Sequence, residues 1–112
     1  MGNIENFVRN LIRKYGTRSP FELCEKMNIK ILFVDLPEKV NGFFLNSKMN
    51  SSILINKNLS PAQRKVICAH ELGHALLHNC VNTLDYQDNN SHYIEKLENE
   101  ADKFSKILLG HQ

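Results

Sequence analysis

Five consecutive residues constrain the fold most: His70-Glu71-Leu72-Gly73-His74 spells H-E-x-x-H. This spacing has a chemical meaning only on a helix, where side chains four residues apart lie on the same face. On such a face His70 and His74 can each direct an imidazole nitrogen at one zinc ion, and Glu71 can reach a water molecule beside it. The motif therefore predicts a helix that carries a metal site, with Glu71 as a general base.

The residues around the motif favour such a helix over a chance match. The flanks are apolar, so two imidazoles and a carboxylate among them would need partners. A start signal also precedes the motif, with Ser60 as the N-cap, Pro61 at the first helical position and Gln63 three residues after the cap. We therefore expect a helix from Ser60 to about His78.

Length and composition limit the class of protein. The chain of 112 residues is long enough for one domain, 1–112, with a single hydrophobic core. A formal net charge of +2 without a run of Lys or Arg does not suggest direct binding to nucleic acid. The N-terminus lacks the pattern of a signal peptide, and no apolar run approaches the ~20 residues of a membrane span. With three scattered cysteines and no disulfide pattern, these features predict a cytoplasmic protein that does not enter a membrane.

The order of the predicted elements indicates the fold class. A first helix begins near Ile4 and stops at Gly16, and a second begins at Ser19-Pro20. Strand-like segments follow at 29–34, 40–45 and 53–55, then the motif helix, a polar loop at 79–91 and a final helix from about Tyr93 to Leu109. This order predicts an α+β domain with a small three-stranded sheet.

The final helix has to supply the third ligand, because a catalytic zinc usually takes three protein ligands. Its candidates are Glu95, Glu98 and Glu100. Glu98 has Asp102 four residues later on the same face, where a carboxylate can receive the free N–H of a metal-bound histidine. The spacing does not exclude Glu100, so the residues alone leave the third ligand open.

A family pattern covers this final helix. Residues 98–109 read ENEADKFSKILL, which resembles the E-x-x-A-[ND]-x-F-[AS]-x-x-L-L helix that follows H-E-x-x-H in the ImmA/IrrE family of metallopeptidases. Residues 19–22, the strand around Gly42 and residues 53–60 are also similar to the family. Members of the family usually continue beyond the two leucines with Met-Pro and further helices, whereas this sequence ends at Gly110-His111-Gln112.

The resemblance implies a fold and a site. It implies a zincin-like domain in which the zinc ligands are His70, His74 and Glu98, with Glu71 as the base. It also implies the arrangement of the gluzincins, in which Asp102 orients His70.

The resemblance further implies an activity, with alternatives. The expected substrate is a helix-turn-helix repressor of a phage or mobile element, which the peptidase cleaves to relieve repression. The strand at 53–55, if it lies at the sheet edge, can hold such a substrate in extended form. An alternative is a binding protein that keeps its zinc and sequesters the repressor without cleaving it, and a third is a toxin–antitoxin partner. Retention of Glu71, which is not a ligand, favours an enzyme.

Other polar residues near the motif have simpler interpretations. At 100° per residue, His78 lies about 80° round the helix from His70, so we expect it in a cleft wall rather than as a ligand. We expect Cys68 and Cys80 to be packing thiols. His92 and Tyr93 can donate to an oxyanion, but a surface role is the simpler interpretation.

Overall fold

The structure is a computed structural model that describes residues 3–47, 50–78 and 91–110. The elements follow in the order α1 (Ile4–Tyr15), α2 (Pro20–Lys26), β1 (Ile29–Val34), β2 (Gly42–Asn46), β3 (Ser51–Asn56), α3 (Pro61–Leu77) and α4 (Ser91–Leu109). The predicted α+β class is confirmed, and α4 begins two residues earlier than the sequence pattern indicated. The rest of the predicted loop, 79–90, lies outside the described residues. Within the described ranges, no helix combines the length and the apolar character that crossing a membrane requires.

Local capping signals explain where the helices begin and end. Gly16 closes α1 in the left-handed conformation, with φ 71°, and its N–H donates to the carbonyl of Ile12. The hydroxyl of Ser60 accepts from the N–H of Gln63, and the Gln63 side chain accepts from the N–H of Ser60. This predicted capping box starts α3 and thereby sets which face of the helix carries H-E-x-x-H.

The sheet has the strand order β1-β3-β2, with β3 parallel to β1 and antiparallel to β2. The strand at 53–55, considered above as a sheet edge, is therefore the central strand, and that expectation is wrong. The edges are β1 and β2. At Gly42, which begins β2, a Cβ would lie 2.6 Å from the carbonyl oxygen of Leu54 and 2.9 Å from Cγ2 of Ile67. Strand β2 thus packs directly against α3, less than one turn before His70.

Helices α3 and α4 approach each other closely at Gly73. A Cβ at this position would lie 3.0 Å from Cδ1 of Phe104 and 3.2 Å from the Cα of Ala101. The core around this contact is apolar and draws on α1, α2, β2, β3, α3 and α4, with Val8, Leu23, Phe44, Ile53, Ile55, Leu72, Phe104 and Leu108 among its buried side chains. Apolar packing therefore holds α4 against the motif helix without any contribution from a metal.

Candidate metal centre

Helix α3 places the two motif histidines side by side, as their spacing predicts. The ring centroids of His70 and His74 are 4.9 Å apart, in an edge-to-face arrangement. The His74 side chain is 1% exposed and the His70 side chain is 20% exposed. One imidazole is therefore part of the core, while the other reaches solvent.

Helix α4 places a single carboxylate opposite both rings. Glu98 Oε1 lies 2.8 Å from His70 Nε2, and Glu98 Oε2 lies 3.1 Å from His74 Nε2. Of the other two candidates, Glu95 is exposed and Glu100 contacts His78 instead. The structure thus brings Glu98, rather than its neighbours, together with the motif histidines, and its role as a ligand stays a prediction.

Glu71 completes a compact group of donor atoms. His70, Glu71 and His74 each offer one donor atom, and these three atoms lie within 4.8 Å of one another. Glu71 is buried, and its Oε1 has no hydrogen-bond partner among the residues that the structure describes. Because burial disfavours the charged carboxylate, the pKa of Glu71 is raised to about 8.

The other groups of the site are shifted by their contacts. Hydrogen bonds from His70 and His74 lower the pKa of Glu98 to about 2. Burial disfavours the charged form of His70, but the hydrogen bond to Glu98 and the charges of Glu71, Glu98 and Asp102 together raise its pKa. At His74 burial dominates and lowers the pKa in spite of the same carboxylate. The neutral imidazole favoured at His74 is the form that binds metals.

Asp102, predicted to orient His70, forms an ion pair with a different residue. Its Oδ2 lies 3.1 Å from Lys106 Nζ, and its side chain is half exposed. Across the described ranges no hydrogen bond joins Asp102 to His70, although its charge favours the protonated imidazole. An orienting role for Asp102 stays a prediction.

The remaining candidates are two cysteines and two residues at the start of α4. Cys68 is buried, and its hydrogen bond with Cys24, together with burial, raises the pKa of its thiol, as suits a packing role. Cys80 lies outside the described residues. His92 and Tyr93 are exposed at the start of α4, and a role at an oxyanion stays a prediction.

His78 has contacts that sequence reasoning missed. Its Nδ1 lies 3.1 Å from His74 Nδ1, and its Nε2 lies 2.7 Å from Glu100 Oε1. The four-residue spacing from His74 was the available signal for the first contact. The second contact depends on how α4 packs against α3, for which the sequence carries no local signal.

The donor set suits a metal ion. Two imidazole Nε2 atoms converge on the two oxygens of one carboxylate, and two histidines with one carboxylate form a known ligand set for divalent metals. The unpaired Glu71 oxygen is a further polar atom in this group that lacks a partner in the described chain. We call His70, Glu71, His74 and Glu98 the candidate metal centre.

A cavity of about 970 Å³ lies elsewhere, between α4 and the start of α1. Its wall includes Phe7, Leu77 and Lys103. None of the four residues of the candidate metal centre lines it, so we do not assign it to that centre.

Comparisons with known proteins identify a family that this chain matches. Residues 24–109 match the sequence profile of the peptidase M78 family, described as the IrrE N-terminal-like domain. The matched range includes β1 to β3 and all four residues of the candidate metal centre.

Two relatives align over 106 residues, or 95% of this chain. One is an uncharacterized immunity region protein 2 of Bacillus phage phi105, 40% identical, of which the alignment covers 67%. The other is the metallopeptidase ImmA of Bacillus subtilis strain 168, 32% identical, of which it covers 62%. The chain thus spans about two thirds of the length of these relatives. With the profile match over most of its length, the chain belongs to the ImmA/IrrE family of metallopeptidases.

Proposed function

We propose that the chain is a zinc-dependent endopeptidase that cleaves a helix-turn-helix repressor of a phage or mobile element. Family membership supports peptide hydrolysis, and the names of the relatives, an immunity region protein and a metallopeptidase, support a substrate connected with phage immunity. The ligands are His70, His74 and Glu98.

The observation that carries this proposal is the buried carboxyl oxygen of Glu71, which has no hydrogen-bond partner among the described residues. A buried carboxyl oxygen without a hydrogen-bond partner costs about 1–3 kcal/mol, and Glu71 Oε1 has none in the described chain. A centre that only held the fold together would not need this residue, since the other three supply the ligands. A base that must accept a proton from water needs a free oxygen, which is what Glu71 has.

The chain's own groups then have separate tasks. A zinc ion held by His70, His74 and Glu98 would polarise the scissile carbonyl and make water easier to deprotonate. Glu71 Oε1 accepts the proton of the attacking water and later donates it to the leaving amine nitrogen. His70, His74 and Glu98 keep their positions through the packing of α3 against α4, so the base and the ligands form one rigid group.

The substrate segment is proposed to bind along β2. Strand β3 is paired on both sides and cannot accept another strand, whereas β2 is an edge of the sheet. Strand β2 packs so closely on α3 that a Cβ at Gly42 would lie 2.9 Å from Cγ2 of Ile67, three residues before His70. A peptide added to β2 by backbone hydrogen bonds would therefore pass close to His70 and Glu71.

The test compares Glu71→Gln with the native chain and with Glu95→Gln, an exposed carboxylate on α4. Each is co-expressed with a helix-turn-helix repressor encoded in the same genomic region, and fragments, repressor binding and reporter output are followed. We expect Glu71→Gln to keep its zinc and its repressor binding while cleavage falls by about 10²–10⁴-fold, the usual worth of a general base. Glu95→Gln should cleave normally.

The opposite result would support the alternative function, a protein that binds the repressor without cleaving it. If Glu71→Gln relieves repression as well as the native chain and neither produces a fragment, the endopeptidase proposal fails. Sequestration of the repressor would then be the function.

A further inference from the structure

The second ring nitrogen of His74 is engaged by another side chain. His74 Nε2 faces Glu98, and its Nδ1 lies 3.1 Å from Nδ1 of His78. The His78 side chain is 7% exposed, and its own Nε2 lies 2.7 Å from Oε1 of Glu100. Three side chains thus form a continuous chain of contacts that leads away from the candidate metal centre to α4.

The chemistry of these atoms allows one proton arrangement when a metal is bound. A neutral imidazole that binds a metal through Nε2 carries its hydrogen on Nδ1. His74 Nδ1–H then donates to Nδ1 of His78, which must be the bare acceptor nitrogen. His78 therefore carries its hydrogen on Nε2 and donates it to the carboxylate of Glu100. Each of the two N–H groups in this series of contacts then has an acceptor.

We propose that His78 and Glu100 are positioning residues that hold His74 in its metal-binding tautomer and orientation. A metal-bound histidine almost always donates its free N–H to a carboxylate, carbonyl or water, and this partner raises the basicity of the ligand. Here an imidazole stands between the ligand and the carboxylate. The inference rests on the proposed metal centre and deepens it.

A simpler interpretation makes His78 a structural residue only. Its backbone N–H donates to the carbonyl of His74 at the end of α3, and the contact with Glu100 links this end to α4. A tether of that kind would affect the stability of the metal-free chain. It would not require the Nδ1–H of His74 to donate to His78, so zinc affinity would not depend on it.

The decisive measurements use zinc alone, without a peptide substrate. Zinc affinity is measured by competition with a chromophoric chelator for the native chain, His78→Phe, His78→Gln, Glu100→Gln and the matched control Glu95→Gln. We expect His78→Phe to bind zinc about 10–100-fold more weakly, the usual effect of losing such a partner. Glu100→Gln should lose less, because an amide oxygen still accepts a hydrogen bond, and Glu95→Gln should bind like the native chain.

One further readout separates positioning from tethering, and a second checks the proton arrangement. His78→Gln should recover part of the affinity that His78→Phe loses, because an amide can both accept from His74 and donate to Glu100. In the zinc-loaded native chain, nitrogen-15 spectra of the histidines should show His74 protonated on Nδ1 and His78 protonated on Nε2.

The outcomes distinguish this inference from the proposed function. Zinc affinity within twofold of native in both His78→Phe and Glu100→Gln overturns the proposed positioning role. A proton on Nδ1 of His78 overturns it as well. So does loss of all zinc in His78→Phe with full zinc in Glu98→Gln, since His78 would then be a ligand. Absence of cleavage with these readouts as expected overturns the endopeptidase alone.

Discussion

Two glutamates in the candidate metal centre have opposite surroundings. Glu98 is half exposed on α4, each of its oxygens contacts a histidine, and its pKa is about 2. Glu71 is buried on α3, one of its oxygens has no partner among the described residues, and its pKa is about 8. The same side chain thus favours the charged form in one place and the neutral form in the other.

The difference shows why the two glutamates suit different proposed tasks, although the groups are chemically identical. A carboxylate that stays charged beside two imidazoles suits a metal ligand, whereas one that can take and release a proton near neutral pH suits an acid–base group. The assignment follows from position, because α3 is buried around Glu71 while Glu98 lies at the exposed margin of α4.

The largest expected effect is on the stability of the metal-free chain. The folded pKa of Glu71 is raised from 4.5 to about 8, so the stability it contributes is complete below about pH 4.5 and is lost as the pH rises to 8. Glutamine has no such loss, so Glu71→Gln should be more stable than the native chain at pH 8, by up to roughly 5 kcal/mol at about 1.4 kcal/mol per pKa unit. Urea unfolding with a chelator at about pH 5 and pH 8 measures the difference.

Glu98→Gln should change the stability of the metal-free chain in the opposite direction and lower it. Its folded pKa is lowered to about 2, so its contribution is present above the ordinary value of 4.5 and is lost as the pH falls toward 2. Near neutral pH we expect this variant to lose about 1 kcal/mol, since solvent screens a half-exposed pair. If the two variants shift stability in the same direction at pH 8, the contrast between the two carboxylates is wrong.

The second expected effect is on zinc affinity. Glu98→Gln removes a proposed ligand and should weaken zinc binding by at least about 100-fold, because even indirect partners are worth 10–100-fold. Glu71→Gln should stay within a few-fold of the native affinity. Equal losses in the two variants, measured by chelator competition, would make Glu71 a ligand and remove the distinction.

The last expected effect concerns the distance between the two helices. In Gly73→Ala the new Cβ would lie 3.0 Å from Phe104 Cδ1, and such overpacking costs typically about 1–3 kcal/mol. Helix α4 should shift and carry Glu98 away from the histidines, whereas Glu71 shares their helix and keeps its place. Zinc affinity should therefore fall while Glu71 remains buried.

Gly16→Ala is the matched control for this prediction. Gly16 has φ 71° and open space around its Cβ position, so alanine there strains the backbone without moving α4. It should lower the melting temperature and leave zinc affinity unchanged. A similar loss of zinc affinity in both variants would mean that general destabilisation, rather than helix spacing, is responsible.

Much of the fold could be predicted because its signals are local. The capping box of Ser60 and Gln63 and the glycine at position 16 act within one turn, and the structure confirms both. The four-residue spacing of His70 and His74 is also local, so their shared face followed from the sequence. The α+β class followed from the order of these elements.

The remainder depends on contacts between distant segments. The order of the strands is set by pairing across the sheet, so nothing local showed that β3 is central. Spacing alone left Glu98 and Glu100 open, and only the packing of α4 turns the first toward two histidines and the second toward His78. Family resemblance selected Glu98, but it gave no indication of the His78 contact.

The end of α3 has an electrostatic consequence for the candidate metal centre. The helix stops at Leu77, three residues after His74, so His74 stands in the last turn, beside carbonyl groups that have no partner within the helix. The aligned peptide dipoles give such an end a partial charge of roughly −0.5. The backbone therefore attracts a cation at this place, typically by about 0.3–1 kcal/mol, without any further acidic side chain.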